Sequence, residues 1–222
     1  MDRTAKSELF DAFAAVARAL ANGRRAELVD VLAQGERSVQ ELASEIGQSV
    51  ANTSQHLRYL DDAGLVRRRR DGSHVRYRLA SDEVERLWAA LRDVAAGHVA
   101  GFDERATAYL GDRSDLEEVA PDELAVRGPT AQVWDVRPAA EYRAGHLPGA
   151  MSVPPEAVPE RVRELAPASE VVAYCRGPYC AFADEAVRVL LAAGHRAARL
   201  EGGFPEWRRD GRPVATGAED AA

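Results

Sequence analysis

The chain has 222 residues, more than a single typical domain of about 100–150 residues requires. Apolar residues make up 46%, enough for ordinary cores and too many for a disordered chain. The net charge of −7 argues against nucleic acid as a whole-chain property, but the charge is uneven: residues 1–110 sum to −1, residues 111–222 to −6, and residues 47–80 hold seven Arg against three Asp. A local basic patch is what a phosphate-binding face requires, whatever the total.

No apolar run approaches the roughly 20 residues that cross a bilayer, and the N-terminal stretch MDRTAKSELFDAF has no signal-peptide core. Two cysteines, Cys175 and Cys180, form neither a disulfide framework nor a four-thiolate zinc site. A cytoplasmic chain with no membrane partner, metal or cofactor is expected.

Apolar periodicity predicts a helix over 7–22, with Leu9, Phe13, Val16 and Leu20 on one stripe, and a second over 24–34. Ser38 and Glu41 form an S-x-x-E capping signature for a short helix carrying Val39, Leu42 and Ile46. Ser49 can cap the next helix, which runs to about residue 63. Strands follow over 65–70 and 73–79, joined by the hairpin dipeptide Asp71-Gly72. A long helix over 82–110 carries Val84, Trp88, Leu91 and Val94, with a kink expected near Gly97 and Gly101. The acidic stretch 111–118 reads as a linker. Strands over 131–136, 150–153, 170–174 and 197–200 then alternate with helices over 159–165 and 181–193 and a last one from Glu206. That alternation predicts a parallel α/β sheet. The chain after Val214 is expected to fray. The domains are thus expected at 1–110 and 119–222.

A helix-turn-helix followed by a basic hairpin outlines a winged-helix DNA reader. A helix fits the major groove, where base edges are distinguishable. On the helix after Ser49, residues Val50, Thr53, Leu57 and Leu60 can face inward, leaving Ala51, Asn52, Ser54, Gln55 and Arg58 outward. Asn and Gln side chains pair with adenine, and Arg binds phosphate or guanine. In the hairpin, Val75, Tyr77 and Leu79 alternate with His74, Arg76 and Arg78, and Arg67, Arg68, Arg69 and Arg70 lead into the tip.

The run SVANTSQHLRYLDDAGLVRRRRDGSHVRYRL (49–79) resembles the ArsR family of winged-helix repressors, over about residues 8–95. The resemblance implies a homodimer, built largely from the first and last helices, on palindromic operator DNA, with Ser49, Ala51, Asn52, Ser54, Gln55, Arg58, Arg68, Arg69, Arg70 and His74 at the DNA. Metal-sensing members carry cysteines near the start of the helix after the capping box. Here that stretch is SVQELASEI, with none, and His56, His74 and His98 are too scattered for a tetrahedral site.

In VVAYCRGPYCAFADEAV (171–187) an apolar strand delivers Cys175 to a tight loop that opens a helix. That is the carboxyl end of a sheet strand, where α/β folds place ligands. Amides of such a loop converge on an anion, and a cysteine there should be acidified and nucleophilic. Arg176, Gly177, Pro178, Tyr179, Cys180 and Ala181 form the loop; Pro178 has no N–H, so the amides of 176, 177, 179, 180 and 181 are the candidate donors. Phosphotyrosine-type phosphatases carry an arginine six positions after the cysteine. Ala181 stands there, which disfavours phosphoryl chemistry.

With VWDVRPAAEYRAGHLPGAMSVP (133–154) and LEGGFPEW (200–207), this loop resembles a single rhodanese domain over about 119–215. The resemblance implies a sulfurtransferase whose Cys175 carries a persulfide, taking sulfur from thiosulfate or a persulfide donor. Asp135, Arg137, Glu141 and His146 are expected in structural hydrogen bonds and ion pairs. Gly202 and Gly203 are expected to turn near the loop, with Trp207 in the core. Cys180 has two readings, a thiol that resolves the persulfide or a small apolar filler. The whole reads as a regulator whose operator binding responds to reactive sulfur on Cys175. The alternatives are a sulfurtransferase that its DNA-binding part merely localises or dimerises, and a docking platform without catalysis.

Overall fold

The structure, a computed structural model, describes residues 2–72, 74–127 and 131–217; the side chain of His74 also lies outside the described set. Ser73, where the second wing strand was expected to start, lies outside it, as do residues 218–222. The chain divides into two compact units, 1–98 and 99–222. No helix among the described residues is long and apolar enough to cross a membrane.

The first unit runs α1 (Arg3–Leu20), α2 (Gly23–Leu32), β1 (Arg37–Ser38), α3 (Val39–Glu45), α4 (Val50–Asp62), β2 (Val66–Asp71), β3 (His74–Leu79) and α5 (Asp82–His98). Local chemistry sets the starts. Asn22 caps α2 through its side-chain oxygen, accepting from the amides of Arg24 and Arg25. Ser38 and Glu41 form the reciprocal capping box that their spacing predicts. Ser49 caps α4 by accepting from the Asn52 amide at 3.2 Å. Leu28, Leu42, Leu57, Leu60 and Val66 form a core between α2, α3, α4 and the hairpin. The antiparallel sheet has the order β1-β3-β2.

The second unit runs α6 (Phe102–Leu110), β4 (Glu118–Val119), α7 (Pro121–Arg127), β5 (Ala131–Asp135), α8 (Ala139–Ala144), β6 (Met151–Ser152), α9 (Val158–Glu164), β7 (Glu170–Tyr174), α10 (Phe182–Ala192), β8 (Arg196–Leu200) and α11 (Phe204–Arg209). Its sheet has the order β4-β8-β7-β5-β6, with every neighbouring pair parallel. Buried side chains cover both faces, Trp134, Val171 and Val187 on one and Val172, Tyr174 and Leu200 on the other. That two-sided burial explains why the strands read as apolar runs rather than alternating ones.

The structure differs from the sequence reading at several points. The expected helix 82–110 is two helices, broken at 99–101, where Gly101 takes a φ of +70°. The stretch 111–118 is packed rather than extended: Leu116 is buried among Val136 and Val187, and Glu118–Val119 joins the sheet edge beside β8. The chain past Val214 is pinned as far as Gly217, because Ala215 pairs with His146 and the Gly217 amide donates to the Arg143 carbonyl. Val50, expected inward, is 47% exposed, since it sits in the first turn beside the cap, short of the core.

Candidate active site and nucleic-acid interface

On α4 the inward positions Thr53, Leu57 and Leu60 are buried, so the opposite face is set by helical period. Ala51, Asn52, Gln55 and Arg58 are exposed there, Ser49 is exposed at its N-terminus, and Ser54 is half-buried. The wing register places Arg67 opposite Arg78 and Arg69 opposite Arg76, which sets four guanidinium groups on one face of the hairpin. The other face carries Val66, Tyr77 and Leu79 into the core and turns Arg68 and Arg70 outward near the tip. Like charges opposite one another repel, and carboxylates relieve part of that. Arg69 forks onto Glu36 at 2.6 and 3.2 Å, Arg76 pairs with Asp71 at 2.9 Å, and Arg68 approaches Asp61 at 3.5 Å. Arg70, among the described residues, pairs with no carboxylate.

In the second unit, the central strand β7 delivers Cys175, the residue after its last, Tyr174; Cys175 is 2% exposed. The loop 176–181 curls from there into α10. The Cys175 thiol lies 3.6 Å from the Cys180 carbonyl oxygen and 3.8 Å from that of Gly177. The Cys180 amide closes a turn onto the Gly177 carbonyl at 3.2 Å, so that N–H is spent within the loop. Gly177 takes a φ of +140°, which suits glycine alone.

Burial pushes the Cys175 thiol well above the ordinary thiol range, and hydrogen bonding and charge from Cys180 push it further; the amides of Ala183 and Gly177 act the other way. The acidification expected at Cys175 falls on its neighbour. The Cys175 thiol hydrogen-bonds to Cys180 and holds its pKa down against burial, helped by the amides of Arg176 and Phe182 and by the Arg176 charge. Of the two thiols, Cys180 is therefore the more acidic.

Arg176 does not aim its charge into the cradle. Its guanidinium forks onto the buried carboxylate of Glu141, with Nη2 at 2.6 Å and Nε at 3.0 Å from Oε1. A second buried ion pair joins Arg137 to Asp135, at 2.6 Å between Nη2 and Oδ2. Arg137 also donates to the Gly145 carbonyl and lies over the Phe204 ring. The Tyr174 hydroxyl donates to Asp135 at 2.7 Å and accepts from the Leu147 amide. His146 stacks on Tyr142, ring centroids 3.7 Å apart. Asp135, Arg137, Glu141 and His146 are all at most 5% exposed.

Gly203 closes the site from behind. A Cβ there would come within 2.4 Å of the Gly177 nitrogen and 2.5 Å of the Cys175 oxygen. The Phe204 amide donates to that same Cys175 oxygen at 3.0 Å. Trp207 is half-buried against the cluster of Val172 and Leu200 rather than enclosed in it. Sequence reasoning missed Arg113, which reaches the loop, and Asp184, the buried carboxylate that receives it. Their separation of 71 residues leaves no local signal.

Two family descriptions match the chain: "Bacterial regulatory protein, arsR family" over residues 22–68, and "Rhodanese-like domain" over residues 121–210. The HTH-type transcriptional regulator Rv0324 of Mycobacterium tuberculosis is 42% identical over 215 residues, covering 96% of this chain and 94% of that protein. This chain is an ArsR-family transcriptional regulator with a C-terminal rhodanese-like domain. Among solved structures, the homodimeric winged helix-turn-helix DNA-binding domain (fragment 1–100) of Mb0332 from Mycobacterium bovis is 43% identical, with a TM-score of 0.42, covering 45% of this chain and 90% of that one. A rhodanese-related protein from Thermoplasma volcanium is 23% identical, with a TM-score of 0.40, covering 45% of this chain and 97% of that one.

Proposed function

We propose that this regulator binds operator DNA as a homodimer and takes a sulfur atom onto Cys175, and that loading changes its hold on DNA. The observation that carries the sulfur chemistry is a buried cysteine at the end of the central strand, inside a loop that opens a helix. In the first half-reaction the Cys175 thiolate attacks the outer sulfur of thiosulfate. A sulfur–sulfur bond forms at Cys175, the one in thiosulfate breaks, and sulfite leaves with the electron pair. Cyanide then takes the outer sulfur as thiocyanate and restores the thiolate. Phosphoryl transfer is disfavoured because Ala181 carries no charge and Arg176 is committed to Glu141.

DNA binding is supported by the exposed polar face of α4 and the arginine face of the wing. Ser49, Ala51, Asn52, Ser54, Gln55, Arg58, Arg68, Arg69, Arg70 and His74 are the proposed contacts. Dimerisation is supported by large apolar side chains left exposed on α1 (Leu9, Phe10 and Phe13) and on α5 (Leu91 and Val94). A second copy presenting the same helices would bury these side chains, as two-fold symmetry allows.

The test measures operator affinity before and after polysulfide treatment, for the wild type and Cys175→Ser, beside thiocyanate formation. Sulfur-dependent affinity in the wild type alone supports the switch. Turnover with unchanged affinity reduces the protein to a sulfurtransferase held on DNA. Absence of both turnover and a change in affinity overturns the proposal.

A further inference from the structure

We propose that Arg113 is a positioning residue for the Cys175 loop, a role that deepens the sulfur-transfer reading above and rests on it. Arg113 lies beyond the end of α6, in a stretch whose composition marks it as a linker. Its guanidinium instead makes three contacts within the second unit, at the Cys175 loop and the helix that follows it. Nε donates to Asp184 Oδ2 at 2.6 Å, Nη1 to the Pro178 carbonyl at 2.7 Å, and Nη2 to the Cys180 carbonyl at 3.3 Å.

Each contact constrains the loop. Asp184 is fully buried in the first turn of α10, so Arg113 neutralises a carboxylate that fixes the helix entering the site. The Cys180 carbonyl oxygen is also the acceptor for the Cys175 thiol at 3.6 Å. One oxygen thus holds the clamp and the nucleophile together. With the Pro178 carbonyl turned to Arg113, the trans peptide sends the Tyr179 amide away from it. A second hold sits at the other end of α6, where the Phe102 ring meets the Tyr179 ring edge-on at 5.4 Å. The strap from Phe102 to Arg113 therefore touches the loop at both ends.

A planar guanidinium reaches the carboxylate and the two carbonyls with three separate nitrogens, and the single nitrogen of an ammonium cannot stand in all three places. Arg113→Lys therefore keeps a charge for Asp184 while releasing the loop carbonyls. The experiment uses the full chain and compares Arg113→Lys with the wild type in three measurements: melting temperature, kcat/KM for thiosulfate and for cyanide separately, and the pH profile of Cys180 alkylation followed by mass spectrometry. The loop must receive a dianion only in the first half-reaction. We expect kcat/KM for thiosulfate to fall about tenfold and that for cyanide to stay within about twofold. The alkylation midpoint of Cys180 should rise, because a loosened loop carries Cys180 away from the Cys175 thiol and from the Phe182 amide at the start of α10 that hold it down.

Unchanged kinetics and an unchanged alkylation profile overturn the positioning role. So does loss of the melting transition in Arg113→Lys, which would make Arg113 a folding residue. A wild type without any turnover refutes the sulfur-transfer reading; the alkylation profile then decides Arg113 alone, a shift supporting it and no shift overturning it.

Discussion

Arg176, the residue after Cys175, is bound to Glu141: its Nη2 lies 2.6 Å from Glu141 Oε1, and both side chains are at most 10% exposed. Its charge is therefore paired inside the fold, and what reaches the loop is a minor pull that helps hold the Cys180 thiol down. Removing one member of a buried pair leaves the other uncompensated, at a cost of about 3–5 kcal/mol. Glu141→Ala should destabilise the second unit by that amount in chemical denaturation, and Glu141→Gln, which still accepts hydrogen bonds, by less. Equal small losses in both variants would show that the pair carries little.

Gly203 makes a prediction about space rather than conformation. Its φ of 177° is open to any residue, but a Cβ there meets the backbone of Gly177 and Cys175. Backbone cannot yield as a flexible side chain can, so Gly203→Ala should push the loop from its place. Thiosulfate turnover should fall about a hundredfold, as expected for a displacement near 1 Å at a reacting group. The first unit, built on a separate core, should keep its operator affinity without sulfur treatment. Wild-type turnover in Gly203→Ala would mean that the loop has room the structure does not show.

The wing separates two arginines that look alike in sequence. Arg69 is held by Glu36 through two hydrogen bonds, and its pKa is raised chiefly by that contact, whereas Arg70 pairs with no carboxylate among the described residues. A guanidinium that has to leave a carboxylate to meet a phosphate gains less. Arg70→Ala should therefore weaken binding to all sequences more than Arg69→Ala, and Glu36→Gln should strengthen it. Each lost phosphate contact should reduce the salt slope by about 1. Titrations of operator and random DNA at several salt concentrations check all three. Tighter binding by Arg69→Ala than by Arg70→Ala is the expected order, and the reverse would refute it.

Features legible in the sequence are those whose cause is local. The Ser38–Glu41 capping box lies within three residues and forms as read. A hairpin forms where the Asp71-Gly72 dipeptide predicts one, with Gly72 at a φ of +61°, although Asp71 itself is the last residue of β2, opposite His74, because the ladder runs one residue further than the dipeptide suggests. The Cys175 loop was legible because an apolar strand, a Gly-Pro turn and a helix start adjoin there. What escaped has long-range causes. Arg113 sits in an acidic, apolar-poor stretch, and its partners are 65 to 71 residues away. The short helices α7 and α8 carry only a turn or two of pattern. The direction of the thiol shift escaped for a related reason. A strand end beside a helix start signals a nearby positive dipole, but the depth of burial that outweighs it at Cys175 is a property of the packed unit.

The opposite shifts of the two thiols set the pH dependence expected of Cys175. Cys175 is pushed up first by burial, then by the hydrogen bond and charge of Cys180. Its thiolate, the attacking form, accordingly gathers only above the ordinary thiol value of about 8.5. The rising limb of kcat/KM for thiosulfate against pH reports that ionisation in the free protein, and in the wild type it should lie on the alkaline side. Cys180→Ser deletes the second and third causes and leaves burial. A serine hydroxyl stays neutral, so no charge opposes the Cys175 thiolate. The limb should move toward lower pH in Cys180→Ser, and the protein should still gain the mass of one sulfur. Cys175→Ala should do the opposite to Cys180, raising its alkylation midpoint, because the thiol that holds it down is gone. A limb that stays in place in Cys180→Ser, together with an unmoved midpoint in Cys175→Ala, would mean that the two thiols titrate independently.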